Sequence, residues 1–185
     1  MGREIRLFAV SPESVNEGPG LHFGIFCQGC RHGCKYCANY PSQDFEGGYL
    51  EDTDNLIEAI KADERIHNIT FSGGDPIEQA AACADIAEAF PGYTVWVWTG
   101  YTWEELLEMA KTDDGVKRLI HATTVLIDGE YDYTLNPNLK KSIVNEPNQW
   151  NASSNNQRVI DVQATLALND EVREIIPYQF RAAWR

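Results

Sequence analysis

Apolar and polar residues alternate along several short stretches of this chain, and a period of two predicts a strand. Ile5, Leu7 and Ala9 alternate with charged or large neighbours over 4–10. Leu21, Phe23, Ile25 and Cys27 do so over 21–27. The runs 68–72, 93–99, 123–127 and 158–162 are also β-prone, most strongly at Val95, Trp96, Val97 and Trp98. Between these stretches the period becomes helical. Leu56, Ile57 and Ile60 follow a cap at Asp52 or Thr53. A helix predicted over 77–90 is alanine-rich and stops at Pro91-Gly92. Thr102-Trp103-Glu104-Glu105 is a capping box for a helix reaching Lys111, and 116–122 is a further short helix. Pro12, Gly18, Pro19 and Gly20 predict a loop over 11–20, and Gly47-Gly48 one over 41–50. From 130 to 156 the pattern weakens, with Pro137, Pro147 and many Asn, and 171–185 carries no clear period.

Strands alternating with helices argue for parallel βα units. Crossovers in such sheets are right-handed, which puts the helices outside and the C-terminal strand ends on one rim. The expected architecture is α/β: a partial (β/α) barrel of parallel strands with outer helices, in one domain over 1–185. A full barrel of eight units needs more chain than this. Loops that follow strands then meet on the rim where ligands of such folds bind.

The first of those loops holds the chemistry. Cys27, Cys30, Cys34 and Cys37 are four of the five cysteines, and Cys30, Cys34 and Cys37 form a C-x3-C-x2-C triad. Three thiolates on one loop can hold three irons of a cubane cluster and leave the fourth open to a substrate. Three other readings of these residues stand beside that one. Zinc held by all four cysteines would have only Arg31, His32 and Gly33 between its two pairs, far less than the loop of about 12–20 residues usual in zinc sites. A closed electron-transfer cluster would make Cys27 the fourth ligand. Yet Cys27 shares a strand face with Leu21, Phe23 and Ile25, where a cysteine acts as a small buried apolar residue. Cys83, in the alanine-rich helix, reads the same way. An odd number of cysteines does not suit a disulfide framework.

Ser72-Gly73-Gly74-Asp75-Pro76 is the second such loop. Its glycines admit a close backbone approach, and Asp75 offers an acceptor for an ammonium group. Thr99-Gly100 and Asp128-Gly129 end two further strands. The four histidines show no metal spacing to one another, and Trp96 and Trp98 read as core. Ser153-Ser154-Asn155-Asn156-Gln157-Arg158 is dense in hydrogen-bonding groups and is placed to cap a ligand.

Net charge narrows the partners. Fifteen Lys and Arg against 28 Asp and Glu give −13, which disfavours nucleic acid and anionic membranes. No apolar run approaches the roughly 18 residues of a membrane span, and no apolar leader follows Met1. Free thiols in such a chain lead to an expected cytoplasmic location.

The triad, with aromatic Tyr36 before its last cysteine, resembles the cluster motif of the radical S-adenosylmethionine superfamily. The match narrows further along the chain. Gln28-Gly29-Cys30 through Cys37-Ala38-Asn39, the Ser72–Pro76 loop, Trp98 through Leu106, Leu126-Ile127-Asp128-Gly129 and the Ser153–Arg158 run occur in that order. Together they resemble the activating enzymes of anaerobic ribonucleoside-triphosphate reductase, over about 23–161. The resemblance implies one 4Fe-4S cluster and one S-adenosyl-L-methionine. It implies an electron from a flavodoxin-like or other low-potential reductant, cleavage to a 5′-deoxyadenosyl radical, and a glycyl radical formed on the reductase's glycyl-radical subunit. It makes Cys30, Cys34 and Cys37 the cluster ligands and lays Tyr36, Cys37 and Ala38 against the adenine. It gives the methionine amino group to Gly73, Gly74 and Asp75, and further cofactor contacts to Thr99 and Asp128. An activase of another glycyl-radical enzyme, of the pyruvate formate-lyase type, is the alternative. Three departures stand out. Tyr36 occupies a position where the family often has Gly, Asn156 is an extra residue with Asn151-Ala152 ahead of it in place of Arg-Gly, and 132–150 is longer than the family's connection.

Overall fold

The computed structural model describes residues 2–136 and 153–175. Pro137, Pro147, Asn151, Ala152 and most of the C-terminal tail lie outside the described residues. Seven strands form one sheet: β1 (Glu4–Ser14), β2 (His22–Cys27), β3 (Tyr49–Asp52), β4 (Asn68–Gly73), β5 (Thr94–Trp98), β6 (Val125–Asp128) and β7 (Arg158–Asp161). Their order is β3-β1-β2-β4-β5-β6-β7. The four central strands β2, β4, β5 and β6 are parallel, as the alternation of elements predicts. The flanks depart from that expectation. β1 runs antiparallel to both β2 and β3, and β7 antiparallel to β6. The β1–β2 link is too short for the crossover a parallel pair requires, so the chain returns alongside itself.

Two loops predicted from Pro and Gly turn out to carry strand. β1 continues through Pro12 to Ser14 instead of ending near Val10. It tolerates proline because β3 covers it only over Glu4–Leu7, and because Pro12 falls inside a register shift against β2 between Ser11 and Ser14. In the 41–50 loop, a 3-10 turn at Tyr40–Gln43 precedes β3, a four-residue edge strand whose Tyr49 and Leu50 are exposed.

The helices are α1 (Thr53–Lys61), α2 (Ala80–Glu88), α3 (Trp103–Met109), α4 (Asp114–Ala122) and α5 (Val162–Ala167). Asp52 caps α1 by accepting from Asp54 N. The helix expected over 77–90 divides into a 3-10 turn at Pro76–Gln79 and α2, because Asp75 caps the turn first. The capping box of α3 forms as read: Thr102 N donates to Glu105 Oε2 at 2.8 Å and Thr102 Oγ1 accepts from Glu105 N at 3.3 Å.

Strand alternation then assigns the core. Val95 and Val97 join Ile5, Leu7, Ile25, Cys27, Ile69 and Phe71 in the cluster that includes α2 and α4 residues. Trp96, Val125, Ile127 and Val159 form a second cluster with Trp98 against it, so the two tryptophans of β5 share a face. No helix among the described residues is long and apolar enough to cross a membrane.

Candidate metal centre

β2 and β4 are paired so that Cys27 lies opposite Gly73. The cysteine loop and the glycine loop therefore leave the sheet side by side and bond to each other. Gly74 N donates to Cys27 O at 2.7 Å, and Asp75 N donates to Gly29 O at 2.8 Å. Gly29 N and Cys30 N donate to Ser42 O and Gln43 O of the turn behind, at 2.7 and 3.2 Å. Gly73 has φ +93, a left-handed backbone open to glycine. A Cβ on Gly74 would lie 2.3 Å from Gly29 O. The two glycines thus seat the cysteine loop, a role invisible in the motif itself. Gly74→Ala is expected to destabilise the protein by about 2–3 kcal/mol in urea unfolding, because backbone rather than a mobile side chain must yield.

The cysteines divide in two. Cys30, Cys34 and Cys37 are free and partly exposed on the loop, whereas Cys27 and Cys83 are buried. Cys27 Sγ lies 3.7 Å from Cys83 Sγ, inside the core. Burial pushes the Cys30 thiol up to about 11, and Asp75, Cys34 and Cys37 add to the rise. Cys34 is raised as well, first by burial and then by Glu130 and Cys37. The three sulfurs are thus within electrostatic reach of one another, and Cys30 and Cys34 resist becoming anions alone. A bound cation removes that penalty by replacing the protons. This donor set fits an iron–sulfur cluster: three soft ligands on one loop, and the strand cysteine turned away.

Tyr36 closes the turn between Cys34 and Cys37, where Cys37 N donates to Cys34 O at 3.3 Å. Its φ is +58. Its ring packs edge-on to Tyr133 at 4.6 Å, with Lys35 Nζ 5.1 Å from the Tyr36 ring and 5.4 Å from the Tyr133 ring. The left-handed backbone explains why Gly suits this position, and the ring contact offsets a cost of about 1 kcal/mol. Tyr36→Gly is expected to leave stability within about 1 kcal/mol of the parent. Tyr36→Val, β-branched at positive φ, is expected to cost about 2 kcal/mol, both read by urea unfolding.

Asp75 is buried and its carboxylate is already engaged. Ile77 N donates to Oδ1 at 3.0 Å and Gly100 N to Oδ2 at 2.9 Å. Thr99 Oγ1 reaches both oxygens, at 3.0 and 2.9 Å, and His32 Nε2 lies 2.9 Å from Oδ2. The glycine loop, the Thr99-Gly100 loop and the cysteine loop therefore meet on one carboxylate. His32, which shows no metal spacing to the other histidines, is the member that the sequence pattern missed. Its other nitrogen faces Glu130 Oε1 at 3.1 Å. The Asp75 bond raises the His32 pKa against the opposing effect of burial, and Glu130 adds to the rise. Cys30, His32 and Asp75 present donor atoms within 4.8 Å of one another. Asp75 is saturated by the chain's own donors, and its contact with His32 ties the glycine loop to the cysteine loop.

Asp128 lies further round the rim and is equally committed. It is buried, accepts from Trp103 N at 2.7 Å and from Arg158 Nε at 3.0 Å, and bonds Arg158 Nη2 as well. Arg158 also grips Glu104, from Nη1 at 3.1 Å and from Nη2 at 2.8 Å. The Ser153–Arg158 run turns inward onto the β6 loop. Gln157 Nε2 donates to Gly129 O at 2.9 Å, Asn156 Nδ2 donates to Glu130 O at 2.7 Å, and Ser154 Oγ accepts from Asp132 N at 3.2 Å.

Comparison with known proteins agrees with this centre. A family model described as a 4Fe-4S single cluster domain matches residues 16–160. The anaerobic ribonucleoside-triphosphate reductase-activating protein of Vibrio cholerae is 33% identical over 130 residues, 65% of this chain and 80% of that protein. Its namesake in Haemophilus influenzae is 33% identical over 131 residues, 65% and 80% of the two chains, and that of bacteriophage T4 is 30% identical over 136 residues, 68% and 81%. The chain belongs to this family of reductase-activating proteins. The family match runs from the end of β1 to β7 and contains all three loop cysteines, the glycine loop and the Asp128–Arg158 pair.

Proposed function

We propose that this chain is a radical S-adenosylmethionine activase that generates a glycyl radical on anaerobic ribonucleoside-triphosphate reductase. One observation carries the reading: three free cysteines on the rim loop, with Cys27 buried against Cys83. Cys30, Cys34 and Cys37 would hold a 4Fe-4S cluster, and Cys27 cannot complete it without turning β2 over. Such a centre would leave one iron without a protein ligand, open to S-adenosylmethionine. When bound, a reduced cluster would supply the one electron that splits S-adenosylmethionine into methionine and a 5′-deoxyadenosyl radical. Hydrogen-atom transfer from the target glycine then leaves 5′-deoxyadenosine and the glycyl radical.

The chain's own part is to bind and orient. Because the Asp75 carboxylate is saturated, we assign the methionine amino group to the backbone of Gly73 and Gly74, with Asp75 fixing their position. Tyr36, Cys37 and Ala38 would border the adenine, and Thr99 would set the floor beneath the glycine loop. A sheet curved as a partial (β/α) barrel, a flavodoxin-like electron donor and work in a reducing cytoplasm belong to the same proposal.

The test is anaerobic. Protein reconstituted with iron and sulfide, reduced with dithionite and given S-adenosylmethionine should release 5′-deoxyadenosine. With the reductase present, a glycyl-radical signal should appear in electron paramagnetic resonance (EPR). Fully loaded protein that forms no 5′-deoxyadenosine would refute the reading.

A further inference from the structure

His32 sits between two cluster cysteines, and every side of its ring is held. Nε2 faces Asp75 Oδ2 at 2.9 Å and Nδ1 faces Glu130 Oε1 at 3.1 Å. The Tyr101 ring packs edge-on at 4.5 Å between centroids. On the Gly100 side the ring comes so close that a Cβ there would lie 2.5 Å from His32 Cδ2. Only 9% of the side chain is exposed. These partners come from the glycine loop, the loop after β5 and the loop after β6. A solvated histidine in the twelve-residue loop 28–39 has no cause to be gripped by three other loops.

We propose that His32 is a positioning residue: it pins the cysteine loop to the Asp75 carboxylate so that Cys30, Cys34 and Cys37 are preset for the cluster, and it keeps its own imidazole off the iron. Both parts follow from the same contacts. The loop is anchored at its base by Gly29 and Cys30 N–H bonds to the 42–43 turn, but those bonds end before Cys34. Arg31, two-thirds exposed, reaches Glu78 at the surface, and His32 supplies the buried anchor, halfway between Cys30 and Cys34. Imidazole is itself a good iron ligand. In this ring each nitrogen already faces a carboxylate, so neither points a free lone pair at a metal. Groups that orient metal ligands in this way commonly change metal affinity about 10–100-fold when removed.

The inference rests on the cluster alone, so its test is run without S-adenosylmethionine and does not depend on the activase reading. Reconstituted parent, His32→Ala and His32→Gln proteins are challenged anaerobically with excess iron chelator, and the dithionite-reduced clusters are compared by EPR. His32→Ala is expected to lose iron about tenfold faster with an unchanged EPR line shape. His32→Gln, whose amide can still donate to Asp75, should recover most of that loss. A parental release rate in His32→Ala would overturn the proposal, as would altered g values, which would make His32 a ligand. Should His32→Ala fail to fold, His32→Phe fills the same space without a nitrogen for Asp75. Faster iron release in that variant supports the clamp, and an unchanged rate overturns it.

Discussion

Cys34→Ala is expected to abolish cluster binding, whereas Cys27→Ala should retain a full complement of iron and sulfide. The two residues are seven apart on the chain and opposite in surroundings. Cys34 stands on the rim loop, partly exposed, with its thiol pushed up by burial and by Glu130 and Cys37. Without it, two of the loop's thiolates remain, too few to hold the cubane, and every step that needs the electron stops. Cys27 ends β2 with its side chain wholly buried beside Cys83. Its replacement removes one buried sulfur and should cost about 1 kcal/mol of stability. Iron and sulfide per chain, with the visible absorption of the cluster, check both. Loss of iron in Cys27→Ala would turn the centre into a closed, four-thiolate electron carrier.

Arg158→Ala should be the largest purely structural defect, about 3 kcal/mol by urea unfolding. Asp128 is 1% exposed, and Arg158 supplies its only cationic partner described. Removing the guanidinium leaves a buried carboxylate held by Trp103 N alone. A buried charge stripped of its partner costs far more than the intact pair contributes. Adding Asp128→Asn to Arg158→Ala should therefore recover part of the loss, because a neutral amide is cheaper to bury. A double variant as unstable as the single one would show that the arginine acts by packing its stem, not by its charge.

The parallel centre of the sheet was legible in the sequence because each of its strands is short, apolar and closed by a loop. Cys27 announced its own burial through Leu21, Phe23 and Ile25. The flanks were not legible. Pro12 marks a break in any local reading, and it is harmless only because of which edge of β1 is uncovered. Tyr49 and Leu50 look like loop residues because β3 is four residues long and exposed. At the site, the three loop cysteines were legible from spacing, and the contacts that support their loop were not. His32 meets Asp75 across 43 residues, and Arg158 meets Asp128 across 30. No periodicity encodes such pairs. Asp75 was read as a ligand for an ammonium group, since nothing in Gly-Gly-Asp-Pro reveals that its carboxylate is already filled.

The Cys27–Gly73 register has a consequence for anyone rebuilding this protein. The cysteine loop cannot be transplanted by itself, because its carbonyls at Cys27 and Gly29 end on amides supplied by the Gly74-Asp75 segment. A chimera that exchanges one loop for that of a distant relative would leave two backbone donors facing the wrong acceptors. The two segments are a single inherited cassette, cut in two by 35 residues of intervening chain (38–72) and closed again by the sheet.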